Sequence, residues 1–192
     1  MPMHINTLTP EDMLKTAIEA LQRPSDNLQA ALNELPAAIY VTDPDGTVTH
    51  YNRTCVSFAG RTPRVGQDAW CVTWRLYTED GEFLPHDQCP MAVAIREQRA
   101  VRGVEAVAER PDGSHVNFRP YPTPLFDEAE NFVGAVNLLL GVGGLDQAQT
   151  LRAQAAKYRL LVNLMPSRQS RQRLDFMALS CDQEALWIEH AN

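Results

Sequence analysis

The residues best able to do chemistry concentrate in one stretch, 70–91, which reads WCVTWRLYTEDGEFLPHDQCPM. It holds Trp70, Cys71, Trp74, His86 and Cys89, so two of three tryptophans and two of four cysteines lie within it. His86 and Cys89 stand at i and i+3, and with Cys71 they would give a mixed N/S ligand set for a metal ion. A structural zinc site needs a fourth ligand, and none is evident. The competing reading makes His86-Asp87 the cap of a helix and Cys89 a small buried apolar group. Trp70 and Trp74, four apart, either stack on a planar ligand or lie as core on one face of a helix. Arg75 and Arg102 could bind an anionic group, or each could pair with a surface acid. Trp70, Trp74, Arg75, His86, Cys89 and Arg102 are therefore the candidate lining of a ligand pocket. No catalytic or metal residue is assigned, and the cofactor is unknown.

No catalytic motif accompanies these residues. A Gly-rich phosphate loop, GxSxG and HExxH are all missing, so the expectation is a protein that is not an enzyme. The net charge of −7 argues against nucleic-acid binding as the main task, because phosphate contacts need a basic face. Arg168, Arg171 and Arg173 cluster late in the chain and read as a solvated helix face. No apolar run approaches the roughly 18 residues of a membrane span. The first residues, MPMHINTLTPEDM, lack a basic head followed by an apolar stretch. Cysteines 55, 71, 89 and 181 show no CxxC spacing and read as thiols rather than disulfides. A cytoplasmic protein with no membrane contact is expected.

The elements that must position the candidate site follow from periodicity. At 192 residues the chain has room for one domain with extensions. Thr9-Pro10-Glu11-Asp12 opens a helix with Met13, Leu14, Ala17, Ile18 and Leu21 on one face. Pro24 interrupts it, and Ser25 or Asp26 caps a second helix carrying Leu28, Ala31, Leu32 and Leu35. These two helices must bury their apolar faces on the sheet or on a partner. Residues 37–42 and 47–51 form a hairpin across Asp43-Pro44-Asp45-Gly46. A helix over 52–59 stops at Gly60, and another opens at Pro90 with Met91, Ala94 and Ile95 inward. Three strands follow, over 101–110, 115–126 and 132–142. The second contains Pro120, Pro122 and Pro124, so part of it should lie at an edge or bulge. The third is almost continuously apolar and should be buried on both faces. Gly143-Gly144 ends the domain. A long helix over 145–165 stops at Pro166, and a last amphipathic helix carries Leu174, Met177, Ala178, Cys181, Ala185 and Ile188.

This order of elements resembles a PAS domain. The resemblance rests on LPAAIYVTDPDGTVTHYN (35–52), PMAVAIREQRAVRG (90–103) and ERPDGSHVNFRPYPTPLFDEAENFVGAVNLLLGV (109–142). Asn52 matches the Asn that commonly ends the second strand, and Asp43 the acid of the first turn. The segment 74–95 is similar to the same part of PAS domains in bacterial sensor histidine kinases. The resemblance implies an α+β PAS fold: a five-stranded antiparallel sheet with helices over one face around a pocket, plus N-terminal and C-terminal flanking helices. The expected division is 1–34 helical extension, 35–142 PAS domain and 143–192 helical linker and interaction tail.

Family members are sensors that usually act as dimers, so the expected function is non-enzymatic regulation in bacterial signal transduction. The expected partners are a second copy, a signalling protein such as a histidine kinase or its regulator, and a small-molecule ligand. A haem- or metal-binding redox or gas sensor using His86 and Cys89 is the alternative, since haem PAS domains take an axial His near this helix. A dimerisation adaptor or kinase remnant is a further one. The flavin class requires an Asn-Cys-Arg-Phe-Leu-Gln type motif, and Cys55 follows Arg53-Thr54 instead. The segment 159–163 resembles the start of a kinase phosphoacceptor box, but no His follows until His190.

Overall fold

The first helix opens as its sequence predicts. In this computed structural model, which describes residues 9–22, 27–142, 144–165 and 167–190, the Thr9 hydroxyl accepts from the Asp12 N–H at 3.2 Å. The Asp12 carboxylate returns the bond to the Thr9 N–H at 3.1 Å, which satisfies the orphan donors of a helix start. Helices α1 (Pro10–Gln22) and α2 (Leu28–Asn33) follow. Pro24, Ser25 and Asp26 lie outside the described residues, so the expected interruption and cap are not described.

Strands β1 (Ala38–Thr42) and β2 (Val48–Tyr51) form the expected antiparallel hairpin. Asp43 organises its turn, with Oδ1 accepting from the Asp45 N–H at 3.0 Å and the Thr47 N–H at 2.8 Å. Helix α3 (Arg53–Ala59) ends on Gly60 in the left-handed conformation. After the insert come β3 (Arg75–Thr78), a 3₁₀ turn at His86–Gln88 and α4 (Pro90–Glu97). Strands β4 (Ala106–Glu109), β5 (His115–Pro120), β6 (Thr123–Phe126) and β7 (Phe132–Gly141) complete the sheet.

The strand order is β2-β1-β7-β5-β4-β3, with β6 also paired to β7. The class is α+β and the fold is the PAS fold, with two corrections. Seven strands are present rather than five. The strand expected over 115–126 breaks at Pro120–Tyr121–Pro122 into β5 and β6, because proline cannot donate to a ladder. The other added strand, β3, comes from the insert and pairs with β4 from Arg75 opposite Glu109 to Thr78 opposite Ala106.

The second correction is that helices cover both faces of the sheet. Side chains alternate along β1: Ala38 and Tyr40 join the cluster with Cys55, Val72, Leu76, Met91 and Phe118, while Ile39 and Val41 join Met13, Leu14, Ala17, Leu32 and Leu35. Helices α1 and α2 therefore bury their apolar faces on the sheet. Leu14 and Leu32 are fully buried there, worth about 1.5–3 kcal/mol each relative to exposure. β7 runs between the two clusters, buried from Gly134 to Leu139 as its apolar run predicts.

The described chain divides into two units, Met1–Leu140 and Gly141–Asn192. The second consists of α5 (Gly144–Val162) and α6 (Arg168–His190), packed on each other. Gly144 is the first residue of α5, and Gly143 and Pro166 lie outside the described residues. The Ser167 hydroxyl accepts from the Ser170 N–H at 3.0 Å and caps α6. Arg159 pairs with Asp182 between the two helices, and Arg168, Arg171 and Arg173 are exposed as expected. No helix among the described residues is long and apolar enough to cross a membrane.

Candidate functional site

The insert is organised by Trp70, which adopts a left-handed backbone with φ 65°. A bulky residue rarely takes that conformation, and tertiary contacts must hold it there. Its N–H donates to Gly46 O at 2.7 Å, and its carbonyl accepts from the Tyr40 hydroxyl at 2.8 Å. Its ring lies against Gly46, where a Cβ would come within 2.3 Å of Cε3. The segment containing Trp70 and Trp74 is irregular, so the two indoles do not share a helical face. Trp70 is part of the core boundary, whereas Trp74 is half exposed at 51%.

Beside Trp70 a cluster of buried side chains lies between the sheet and the helices. Tyr40, Val72, Leu76 and Met91 are fully buried in one cluster with Cys55, Cys71, Cys89 and Phe118. Asn137 donates to the Tyr40 oxygen at 3.0 Å, and its own Oδ1 accepts from the Tyr121 N–H at 3.0 Å. Burial pushes the Tyr40 phenol well above its usual range, so it stays protonated and can donate to Trp70. The Cys71 thiol is 3.1 Å from the Thr73 hydroxyl. Burial raises the Cys71 and Cys55 thiols, and Cys89 is pushed up to about 12.

An open cleft of about 490 Å³ lies on the outer side of this insert. Arg61, Arg64 and Asp68 meet Trp70, Trp74 and His86 around it. Asp68 ties the basic side together: its Oδ2 accepts from Arg61 Nη2 at 2.6 Å and from the Arg64 N–H at 2.9 Å. Oδ1 accepts from Arg64 Nε at 3.3 Å. Burial alone would raise the Asp68 carboxyl, but these donors outweigh it and hold the carboxyl below its usual range. Two nitrogens at the cleft are buried without a hydrogen-bond partner, Arg61 Nε and His86 Nε2. Burial and the neighbouring Arg61 charge lower His86, against Asp68 and Asp87, which raise it.

Of the six residues chosen from sequence, the structure brings Trp70, Trp74 and His86 to this cleft. Cys89 lies in the core, its Sγ 3.9 Å from the Trp70 carbonyl. His86-Asp87 does not cap α4; the N-cap position is Cys89, without a side-chain cap bond. Arg75 sits on β3 beside Glu109, at 3.6 Å. Arg102 lies next to α1, bonded to Glu11 at 2.9 Å and stacked over Tyr121 at 5.5 Å. It also donates to Pro122 O at 3.0 Å, so its contacts clamp α1 to the sheet. Among the described residues no group of three or more His, Cys, Asp or Glu is placed to hold a metal ion. A protonated, core-facing Cys89 also makes a poor thiolate ligand for haem.

Sequence reading missed Arg61 and Asp68. The only local signal is the Arg64–Asp68 spacing at i, i+4, which is common on protein surfaces.

No protein-family model and no curated protein matches the chain. Solved structures with PAS and LOV domains are similar to it. The PAS domain of a protein from Colwellia psychrerythraea is 18% identical, with TM-score 0.40, over 59% of this chain and 92% of that one. A LOV domain from an Erythrobacter litoralis blue-light activated histidine kinase is 21% identical, with TM-score 0.44, over 57% and 98%. A Rhodobacter sphaeroides LOV protein is 11% identical, with TM-score 0.46, over 92% and 99%. In this chain the Cys55 Sγ donates to Ile39 O at 3.1 Å within the buried cluster around Tyr40.

Proposed function

We propose that this chain is a non-enzymatic regulatory module of the sensory PAS type, acting through protein–protein contact. One observation carries the reading. In the C-terminal unit, Leu160 on α5, Leu164 in the turn after it, and Phe176 and Leu179 on α6 are all more than half exposed. Phe176 and Leu179, at i and i+3, form a ridge on α6, and Leu160 and Leu164 add exposed apolar surface in the same unit. Apolar ridges of this kind mark an interaction surface. By contrast, the apolar faces of α1 and α2 already have their partner in the sheet.

The occupant we assign is a second copy of this chain, giving a dimer whose helices engage a signalling protein such as a histidine kinase or its regulator. Light scattering on the full chain tests the first step. The wild type should run as a dimer, and Leu160→Glu combined with Phe176→Glu as a monomer with an unchanged circular dichroism spectrum. A wild-type monomer across the micromolar range would overturn the dimer.

A further inference from the structure

Charge is sorted along the two helices of the C-terminal unit. Residues 157–173, from the last turns of α5 to the first turns of α6, hold five cations (Lys157, Arg159, Arg168, Arg171 and Arg173) and no acid. Residues 175–192 hold four acids and no Lys or Arg. The apolar surface of α6 is sorted as well. Ala178 is buried, with Leu174 and Cys181 half-buried at i−4 and i+3 from it, on the side that packs on α5. Phe176 and Leu179 lie on the far side, because 3.6 residues per turn carries both well round the helix from Ala178. They are 64% and 56% exposed.

We infer that α6 pairs antiparallel with α6 of a second copy through this far side, the two-fold axis passing midway between Phe176 and Leu179. The inference rests on the dimer reading above and adds its direction. An isologous contact sets residue i of one copy on j of the other, and j on i. This axis therefore places Phe176 of each copy against Leu179 of the second copy. By the same count Gln172 falls opposite position 183. Arg171 and Arg173 fall level with positions 184 and 182, where the sequence has Glu184 and Asp182. Charge selects the direction. In a parallel pair Arg168, Arg171 and Arg173 would each stand beside their own copy, and like charges across an interface oppose association. The antiparallel pair instead sets the basic start of α6 along the acidic end of the other copy. One copy alone cannot bring those two segments of α6 side by side, so the second copy completes the surface.

Cysteine mapping on the full chain tests the direction, in a Cys181→Ser background that leaves only the buried native thiols. A disulfide needs its two Cα atoms within about 7 Å. Gln172→Cys combined with Gln183→Cys should give a covalent dimer when oxidised with glutathione disulfide, and neither single variant should. Positions 172 and 183 are about 16 Å apart along one helix, so no bridge closes within one copy. A covalent dimer from Gln172→Cys alone would reveal a parallel pair and overturn the inference while the dimer stands. A double variant that is dimeric by light scattering yet forms no covalent dimer would overturn it equally. A wild-type monomer would remove the dimer reading and this inference with it. Arg171→Glu with Arg173→Glu changes two exposed side chains and should weaken the dimer about tenfold, the loss of several weak charge pairs. An unchanged dimer in that variant would overturn charge as the selector of direction.

Discussion

Asn137 on β7 donates its side-chain N–H to the phenol oxygen of Tyr40 at 3.0 Å, directly across the strand pair on β1. Tyr40 in turn donates to the Trp70 carbonyl at 2.8 Å. A centre strand of the sheet is thus hydrogen-bonded through one buried phenol to the backbone at the rim of the cleft. Tyr40→Phe keeps the ring and removes both bonds, leaving the Asn137 amide short of an acceptor. The expected cost is about 1–3 kcal/mol, read as a lower midpoint in urea at constant slope. Unchanged stability would show that this relay holds nothing in place.

Gly46 and Trp70 are fitted to one another. Gly46 has φ 87°, and a Cβ there would reach 2.3 Å from the Trp70 ring. Gly46→Ala should destabilise by more than about 1 kcal/mol, through backbone conformation and ring displacement together. A shift in tryptophan emission should accompany the lower melting temperature. Loss of stability without that shift would assign the cost to the turn alone.

Asn52 uses its whole amide. Oδ1 accepts from the Ile39 N–H at 3.0 Å and the Cys55 N–H at 3.2 Å, while Nδ2 donates to Leu32 O at 3.0 Å and Ala37 O at 2.7 Å. It joins α2, β1 and the start of α3 from a fully buried position. Asn52→Ala should cost about 3 kcal/mol or more, because four buried partners lose their bonds at once. Asn52→Asp should be at least as damaging, since a buried carboxylate cannot donate to the two carbonyls. Chemical denaturation of the two variants ranks them.

Thiol labelling should separate the cysteines. Cys55, Cys71 and Cys89 are buried and protonated, whereas Cys181 is half-buried. A maleimide should label Cys181 first in native protein and the other three only in denaturant. Fast native labelling of Cys89 would revive its reading as a reactive ligand.

Folding stability should depend on pH through His86. Burial and the neighbouring Arg61 charge keep its folded pKa below the ordinary ~6.5, against Asp68 and Asp87, which raise it. The unfolded chain therefore binds the proton more readily, and stability should fall as pH drops below ~6.5. Urea midpoints followed with pH check this, and in His86→Gln that part of the fall should vanish.

Much of the frame was legible because its causes are local. The Asp43 turn and the stop at Gly60 depend on bonds or backbone conformation within a few residues, the apolar run of β7 is continuous in sequence, and Asn52 was legible through the resemblance alone. The three prolines placed part of the strand expected over 115–126 at an edge or bulge, and the structure breaks it there into β5 and β6. By itself, then, the sequence determined the α+β PAS arrangement and the amphipathic faces of the flanking helices.

Tertiary structure decided where those faces and charges went. Helices α1 and α2 settled on the sheet rather than on a partner because Ile39, Val41, Val136 and Leu138 present a matching apolar face. Arg102 went to α1 and Arg75 to Glu109, since charged side chains pair with whatever acid the fold brings near. The i, i+4 spacing of Trp70 and Trp74 suggested a helix, yet Gly46 and Tyr40 hold Trp70 in a left-handed turn. The meeting of Arg61, Asp68 and His86 rests on contacts between distant segments, which no local pattern encodes.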